Sequence, residues 1–129
     1  MPDSLTIAKT CALHADEIQA EDIMILDLRG ISTLADFFVL CTATSLPHLK
    51  AVNREIRMRN EEVMGEKPNS SDGDPGSMWL VIDYIDVVVH IFHEEKRDLY
   101  ALEDLWGDAP RVPLDFLPER PAAPGEKVS

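Results

Sequence analysis

The sequence predicts an α/β (α+β) domain, a mixed β-sheet of four or five strands flanked by helices. Three observations favour this class. Apolar residues recur at helical spacing in several segments, four short runs are dense in branched and aromatic residues, and only two residues separate the last two runs. The predicted order of elements is α-β-β-α-β-β-α, which is typical of sheet and helix layers that share one core.

The first third of the chain predicts a helix and two buried strands. Leu5, Ala8, Ala12 and Ala15 recur at helical spacing, which predicts a helix over about residues 4–20. Residues 23–28 are nearly all apolar and residues 36–42 are rich in aromatic and branched side chains, so both runs predict central strands. Residues 29–32 contain a turn signal between them.

A second helix is marked at both ends. Thr44 or Ser45 can cap its start, Pro47 falls in the first turn, and Gly65 suits its end. One apolar stripe is predicted to face the core, formed by Leu49, Val52, Ile56 and Val63. Residues 66–76 contain two prolines, two glycines and two serines, so a loop is expected there.

Residues 78–83 and 86–92 predict a hairpin, with Tyr84 and Ile85 as its loop. This loop would pair Asp83 with Asp86 and Trp79 with His90. One face of the hairpin is then wholly apolar and belongs to the core. The other face carries Trp79, Val81, Asp83, Asp86, Val88 and His90.

Three interpretations of this second face are open. In the first, a helix covers this face while Asp83 and Asp86 reach water. In the second, the two carboxylates hold a divalent cation, as carboxylate pairs do for magnesium. In the third, the face docks a basic protein. In the last case Lys or Arg of the partner relieves the carboxylate repulsion and Trp79 is an apolar anchor.

The end of the chain predicts a closing helix and a tail. Residues 94–106 have acids in the first turn and one apolar face formed by Leu99, Leu102 and Trp106. Five of the nine prolines follow from residue 107 onward. We therefore expect a single domain over residues 1–107 and a Pro-rich tail, residues 108–129, that lies on the surface or is disordered.

The charge balance narrows the function classes. The 129 residues contain 24 acids and 12 bases, a net charge of −12. This net charge argues against binding to free nucleic acid and against docking on an anionic membrane. It favours a basic partner or simply solubility. The excess is concentrated in residues 68–106, whereas residues 46–67 carry five bases against four acids.

Neither targeting signals nor catalytic motifs are visible. No apolar run approaches a membrane span, and the N-terminus lacks the features of a signal or transit peptide. Cys11 and Cys41 have no CxxC spacing, so buried free thiols and a cytoplasmic location are expected. We find no nucleophilic constellation, phosphate loop or zinc spacing, and predict no catalytic residue, cofactor or metal.

Four segments occur in order within residues 4–110. They are DIMILDLRG (residues 22–30), ADFFVLCTATS (35–45, followed by His48), WLVIDYIDVVVHIF (79–92) and LYALEDLWGDAP (99–110). Together they resemble the ribosomal silencing factor family, also called the Iojap family. The resemblance implies a fold akin to nucleotidyltransferases without their chemistry, and hence not an enzyme.

The resemblance also implies a partner and a site. Members of the family bind the large ribosomal subunit through its ribosomal protein fourteen, block joining with the small subunit, and lower translation when nutrients are short. Members often form homodimers, so a homodimer is one expected state. The ribosomal-protein-binding residues that the resemblance implies are Trp79, Asp83, Tyr84, Asp86, His90 and Tyr100. Direct, specific nucleic-acid readout and membrane contact are not expected.

Two positions depart from the family pattern. Ile85 replaces the usual glycine of the hairpin turn, and a branched residue disfavours positive φ, so a longer or different turn is expected. Pro47 stands before His48, where the family tends to have arginine.

Two rival functions remain open. One is a magnesium-dependent nucleotidyltransferase that uses Asp83 and Asp86, although Gly73 and Gly76 lie beside acids and form no visible phosphate cradle. The other is a small acidic adaptor with no ribosomal role.

Overall fold

A five-stranded mixed sheet forms the centre of the computed structural model, which describes residues 3–74, 76, 78–95 and 109–118. The elements are α1 (Ser4–Glu17), β1 (Glu21–Asp27), β2 (Phe37–Ala43), α2 (Leu46–Met64), β3 (Ser70–Asp74), β4 (Trp79–Asp83) and β5 (Val87–His93). The strand order is β1-β2-β5-β4-β3. The β2–β5 pair is parallel and the other three pairs are antiparallel. The predicted fold class is confirmed.

Both helices pack on the same face of the sheet. The buried residues of α1 and α2 share one apolar cluster with alternate residues of the strands, among them Ile25, Val39, Val89 and Ile91. We call this side the helix-covered face. β2 is an interior strand between β1 and β5, and all seven of its residues are buried. Cys11 and Cys41 are buried free thiols, as predicted.

The ends of α2 form as the sequence predicts. Ser45 Oγ accepts a hydrogen bond from the His48 N–H at 3.1 Å, and Pro47 lies in the first turn. Gly65 has a φ of 69° and its N–H donates to the Glu61 carbonyl at 2.9 Å. The prediction for Val63 is wrong, because its side chain is 63% exposed. The buried stripe of α2 ends at Asn60, one turn earlier.

The prediction of a loop over residues 66–76 is also wrong, since β3 forms an edge strand there. Its sequence, SSDGD, has no apolar pattern, and the strand is held by backbone pairing with β4. Gly73 has a φ of 89°, and a Cβ at this position would collide with the Trp79 carbonyl oxygen. This close approach requires glycine.

The hairpin forms with a register two residues away from the predicted one. Asp83 pairs with Val88 and Trp79 pairs with Phe92, so the predicted Asp83–Asp86 and Trp79–His90 pairs are wrong. The turn is centred on Ile85 and Asp86, because Tyr84 extends the ladder into the helix-covered core. The predicted apolar face is nevertheless confirmed, since a shift of two residues leaves each side chain on its face.

Residues 109–112 run beside β1. The Asp27 N–H donates to the Pro110 carbonyl at 2.8 Å, and the Val112 N–H donates to the Ile25 carbonyl at 2.9 Å. Ala109 is buried, and Leu114 and Phe116 pack against the helix-covered core. Glu94 and Glu95 are helical, whereas the rest of the predicted closing helix lies outside the described residues.

Among the described residues, no helix combines the length and the hydropathy that a membrane crossing requires.

Candidate protein-binding face of the sheet

The face of the hairpin opposite the helices brings together three of the predicted site residues. Trp79, Asp83 and His90 occupy it, because they alternate with the core residues along β4 and β5. We call this side of the hairpin the Trp79 face. It comprises Trp79, Val81, Asp83, Val88, His90 and Phe92, of which His90 and Phe92 are buried.

An aromatic cluster fixes the orientation of the Trp79 ring. The indole stacks on Phe92 with ring centroids 5.4 Å apart, and on His90 with centroids 5.8 Å apart. Phe38 of β2 meets the edge of His90 at 4.7 Å. These distances lie in the range in which aromatic pairs attract one another, so the half-buried indole has a supported position.

A hydrogen bond links Trp79 to a neutral histidine. Trp79 Nε1 donates to His90 Nδ1 at 3.2 Å, which requires the ring proton of His90 on Nε2. Burial lowers the pKa of His90 to about 4, so the imidazole remains an acceptor at neutral pH. His90 Nε2 is buried without a hydrogen-bond partner within the described part of the chain. His90 therefore positions Trp79 from the buried side, since it is itself only 7% exposed.

The two acidic residues have different surroundings. Asp83 is half-buried and its Oδ1 accepts a hydrogen bond from the Ile85 N–H at 2.7 Å. Asp86 is exposed in the turn, and its carbonyl accepts from the N–H groups of Asp36 and Phe37. Within the described residues, no group of three His, Cys, Asp or Glu side chains is arranged to hold a metal ion.

Tyr84 and Tyr100 are not part of the described Trp79 face. Tyr84 is 7% exposed and packs in the core under the helices, where burial raises the pKa of its hydroxyl. Tyr100 lies outside the described residues.

Sequence reasoning missed Phe38 and Phe92 as supports of Trp79. Phe92 follows His90 by two residues on the same strand, so alternation alone could have found it. Phe38 belongs to another strand, and only the β2–β5 pairing brings it to His90. The face offers a supported indole at one end of β4 and a carboxylate, Asp83, at the other end. This combination is suited to a partner with apolar and cationic side chains.

Comparisons with known proteins agree with this architecture. The family model described as "Ribosomal silencing factor during starvation" matches residues 1–129. The ribosomal silencing factor RsfS of Bacillus subtilis is 42% identical over 111 residues, covering 86% of this chain and 93% of that protein. The chloroplastic protein Iojap of Arabidopsis thaliana is 34% identical over 114 residues, covering 88% of this chain and 47% of that protein.

Two solved structures are similar over most of the chain. A crystal structure of a Chromobacterium violaceum protein matches with a TM-score of 0.77 at 28% identity, covering 82% of this chain and 88% of that one. A Bacillus halodurans protein matches with a TM-score of 0.69 at 34% identity, covering 85% and 96%. The chain belongs to the ribosomal silencing factor family.

Proposed function

We propose that this protein represses translation by binding the large ribosomal subunit through ribosomal protein fourteen and sterically blocking its joining with the small subunit. Membership in the ribosomal silencing factor family supports a role in repressing translation. We further propose that the protein acts in the cytoplasm, as a non-enzymatic binding protein without a cofactor.

The observation that carries the proposal is the supported indole of Trp79. A large aromatic side chain that is half-buried, stacked on Phe92 and hydrogen-bonded to His90 is already ordered before a partner arrives. Ordering a side chain in advance reduces the entropy lost on binding. Tryptophan is also enriched among the residues that dominate binding energy.

Charge supports a basic partner. Asp83 lies on the Trp79 face and Asp86 is exposed in the adjoining turn. With a net charge of −12, the protein is attracted to basic surfaces such as those of ribosomal proteins, and complementary charges speed the encounter.

Gradient co-sedimentation with separated large and small subunits tests the proposal. We expect the protein to travel with large subunits only, and to reduce the yield of joined ribosomes when small subunits are added. Sedimentation with small subunits, or with neither subunit, would contradict the proposed function. Light scattering of the free protein checks the homodimer, which remains a prediction.

The role of the Trp79 face is tested by Trp79→Ala. Loss of an interface anchor weakens binding by about 2 kcal/mol, roughly 30-fold, so the variant should fail to co-sediment at low protein concentration. Val63→Ala is the matched control, because Val63 is an exposed apolar side chain near the end of α2, which packs on the other side of the sheet. Unchanged binding by a folded Trp79→Ala protein would remove this face from the proposal.

A further inference from the structure

A row of three cations lines a cavity between α2 and the outer strands of the sheet. The cavity has a volume of about 310 Å³. Lys50, Arg54 and Arg57 are separated by four and three residues, so they lie on one side of the helix. We call them the basic stripe. The remaining lining residues are Asn53, Ser71, Gly73 and Leu80, and none of the described lining residues is acidic.

The basic stripe differs from the other cations of this region in its ion pairs. Arg59 pairs with Glu55 at 3.3 Å, and Lys67 lies 3.6 Å from Glu61. Among the described residues, the ion pairs of α2 do not include any member of the basic stripe. Like charges on one helix side repel one another, so a bound anion would stabilise this arrangement.

The position of one member is held by the helix itself. Arg57 Nε donates to Asn53 Oδ1 at 2.8 Å, and both residues line the cavity. Asn53 is buried, so this contact anchors the guanidinium to a rigid side chain. A guanidinium held in this way is suited to planar, multiple hydrogen bonds with phosphate oxygens.

The linear arrangement points to a chain of anions. Seven residues of α-helix rise by about 10 Å, so the backbone positions of the basic stripe are spread along a line of that length. A nucleic-acid strand presents one phosphate for about every 3.4 Å of its axis. The length of the basic stripe therefore matches a short run of backbone phosphates.

The cavity and the Trp79 face meet at the same edge of the sheet. Leu80 lines the cavity, whereas the preceding residue, Trp79, belongs to the opposite face. Ser71 and Gly73 of β3 also line the cavity. Positions 72 and 74, which alternate with them along β3, pair with Val81 and Trp79 of β4. One partner surface that reaches around β3 can therefore contact both sites.

We infer that the basic stripe binds the phosphate backbone of RNA on the large ribosomal subunit, beside the protein contact of the Trp79 face. This inference rests on the proposed function. The acidic net charge of the protein argues against RNA contact, but residues 46–67 are an exception, because they carry five bases against four acids. The contact is to backbone phosphates and reads no base sequence.

The salt dependence of binding tests the inference. The triple variant Lys50→Gln, Arg54→Gln, Arg57→Gln and the wild-type protein are titrated with purified large subunits from 50 to 200 mM KCl. Each lost phosphate contact reduces the slope of log K against log salt by about 0.7–0.9. Raising the salt over this range should weaken the binding of both proteins. If three contacts are lost, the loss of affinity should be roughly 20- to 40-fold larger for the wild-type protein than for the variant.

A charge-matched control separates local contact from net charge. The variant Lys9→Gln, Arg59→Gln, Lys67→Gln removes three cations outside the cavity and should keep the wild-type slope. Arg54→Gln alone changes one exposed side chain, so this variant should stay folded. Its slope of log K against log salt should be reduced by about 0.7–0.9, the value for one contact.

The outcomes distinguish the two proposals. If the wild-type protein binds large subunits and the triple variant and Arg54→Gln keep its salt slope, the basic stripe does not contact RNA and the proposed function stands. If the triple variant and the charge-matched control show the same reduction in salt slope, the change in net charge explains the effect and the inference is overturned. If the wild-type protein does not bind large subunits, both are overturned.

Discussion

The two faces of the sheet are built from the same strands but for different purposes. On the helix-covered face, buried apolar residues such as Ile25, Val89 and Ile91 pack against two helices. On the Trp79 face, Trp79 and His90 form a hydrogen bond within an aromatic cluster, and Asp83 lies at the other end of β4. Both faces bury apolar side chains, but the Trp79 face also buries His90. The Nε2 of His90 has no hydrogen-bond partner among the described residues, which reduces stability, while its Nδ1 orients Trp79.

The largest difference between the faces should appear in stability. Ile91 is fully buried, so Ile91→Ala should lower the free energy of unfolding by about 2–5 kcal/mol through lost burial and a cavity. Val88→Ala, at a half-buried position on the Trp79 face, should cost about 1 kcal/mol or less. Urea denaturation measures both values. Equal losses would contradict the division between the faces.

The next effect concerns pH. The pKa of His90 is lowered from 6.5 to about 4 in the folded protein, so the unfolded chain binds the proton more readily between these values. The stability due to neutral His90 is complete above pH 6.5 and falls as pH decreases toward 4. Between pH 7.5 and 4.5 the loss should be about 2–3 kcal/mol.

Comparison with His90→Gln isolates this effect, because the carboxylates titrate in both proteins. Glutamine is neutral throughout and can still accept from Trp79 Nε1. Urea denaturation at the two pH values should therefore show a larger loss for the wild-type protein. An identical pH dependence in both proteins would show that His90 is not the destabilising group.

The smallest effect is expected at the turn where the faces meet. Ile85 has a φ of 74°, and the Asp86 N–H donates to the Tyr84 carbonyl at 2.9 Å, which makes Ile85 the centre of a strained γ-turn. Because Ile85 is 63% exposed, Ile85→Gly removes little buried surface. The relief of strain exceeds the entropy cost of glycine, so thermal unfolding should show a gain of about 0.5–1 kcal/mol.

Ile85→Ala is the control for this change. Alanine keeps the Cβ that disfavours positive φ, so it should give no gain. A stabilised alanine variant would show that the isoleucine side chain, and not its backbone conformation, is unfavourable.

The predictable parts of the fold are those decided by neighbours in sequence. Ser45, Pro47 and Gly65 act within one helical turn, so the limits of α2 follow from local chemistry. The edge strand β3 has no such signal, because its polar residues are ordered by backbone bonds to β4. The hairpin register depends on whether Tyr84 is buried, and that choice involves the distant helices.

The candidate site was predictable to a similar extent. Alternation along β4 and β5 is enough to place Trp79, Asp83 and His90 on one face. It does not show that Phe38 supports His90, since that contact joins strands far apart in sequence. The basic stripe needed the structure for the same reason, because β3 supplies the other wall of its cavity.

The backbone bonds between β1 and residues 110–112 have a consequence for synthesis. Asp27 and Ile25 are made early, whereas their partners Pro110 and Val112 follow more than 80 residues later. Until those residues leave the ribosome, the outer edge of β1 is an open template for another strand. A truncation after residue 107 would leave this edge open permanently, so the truncated protein should be more prone to aggregation.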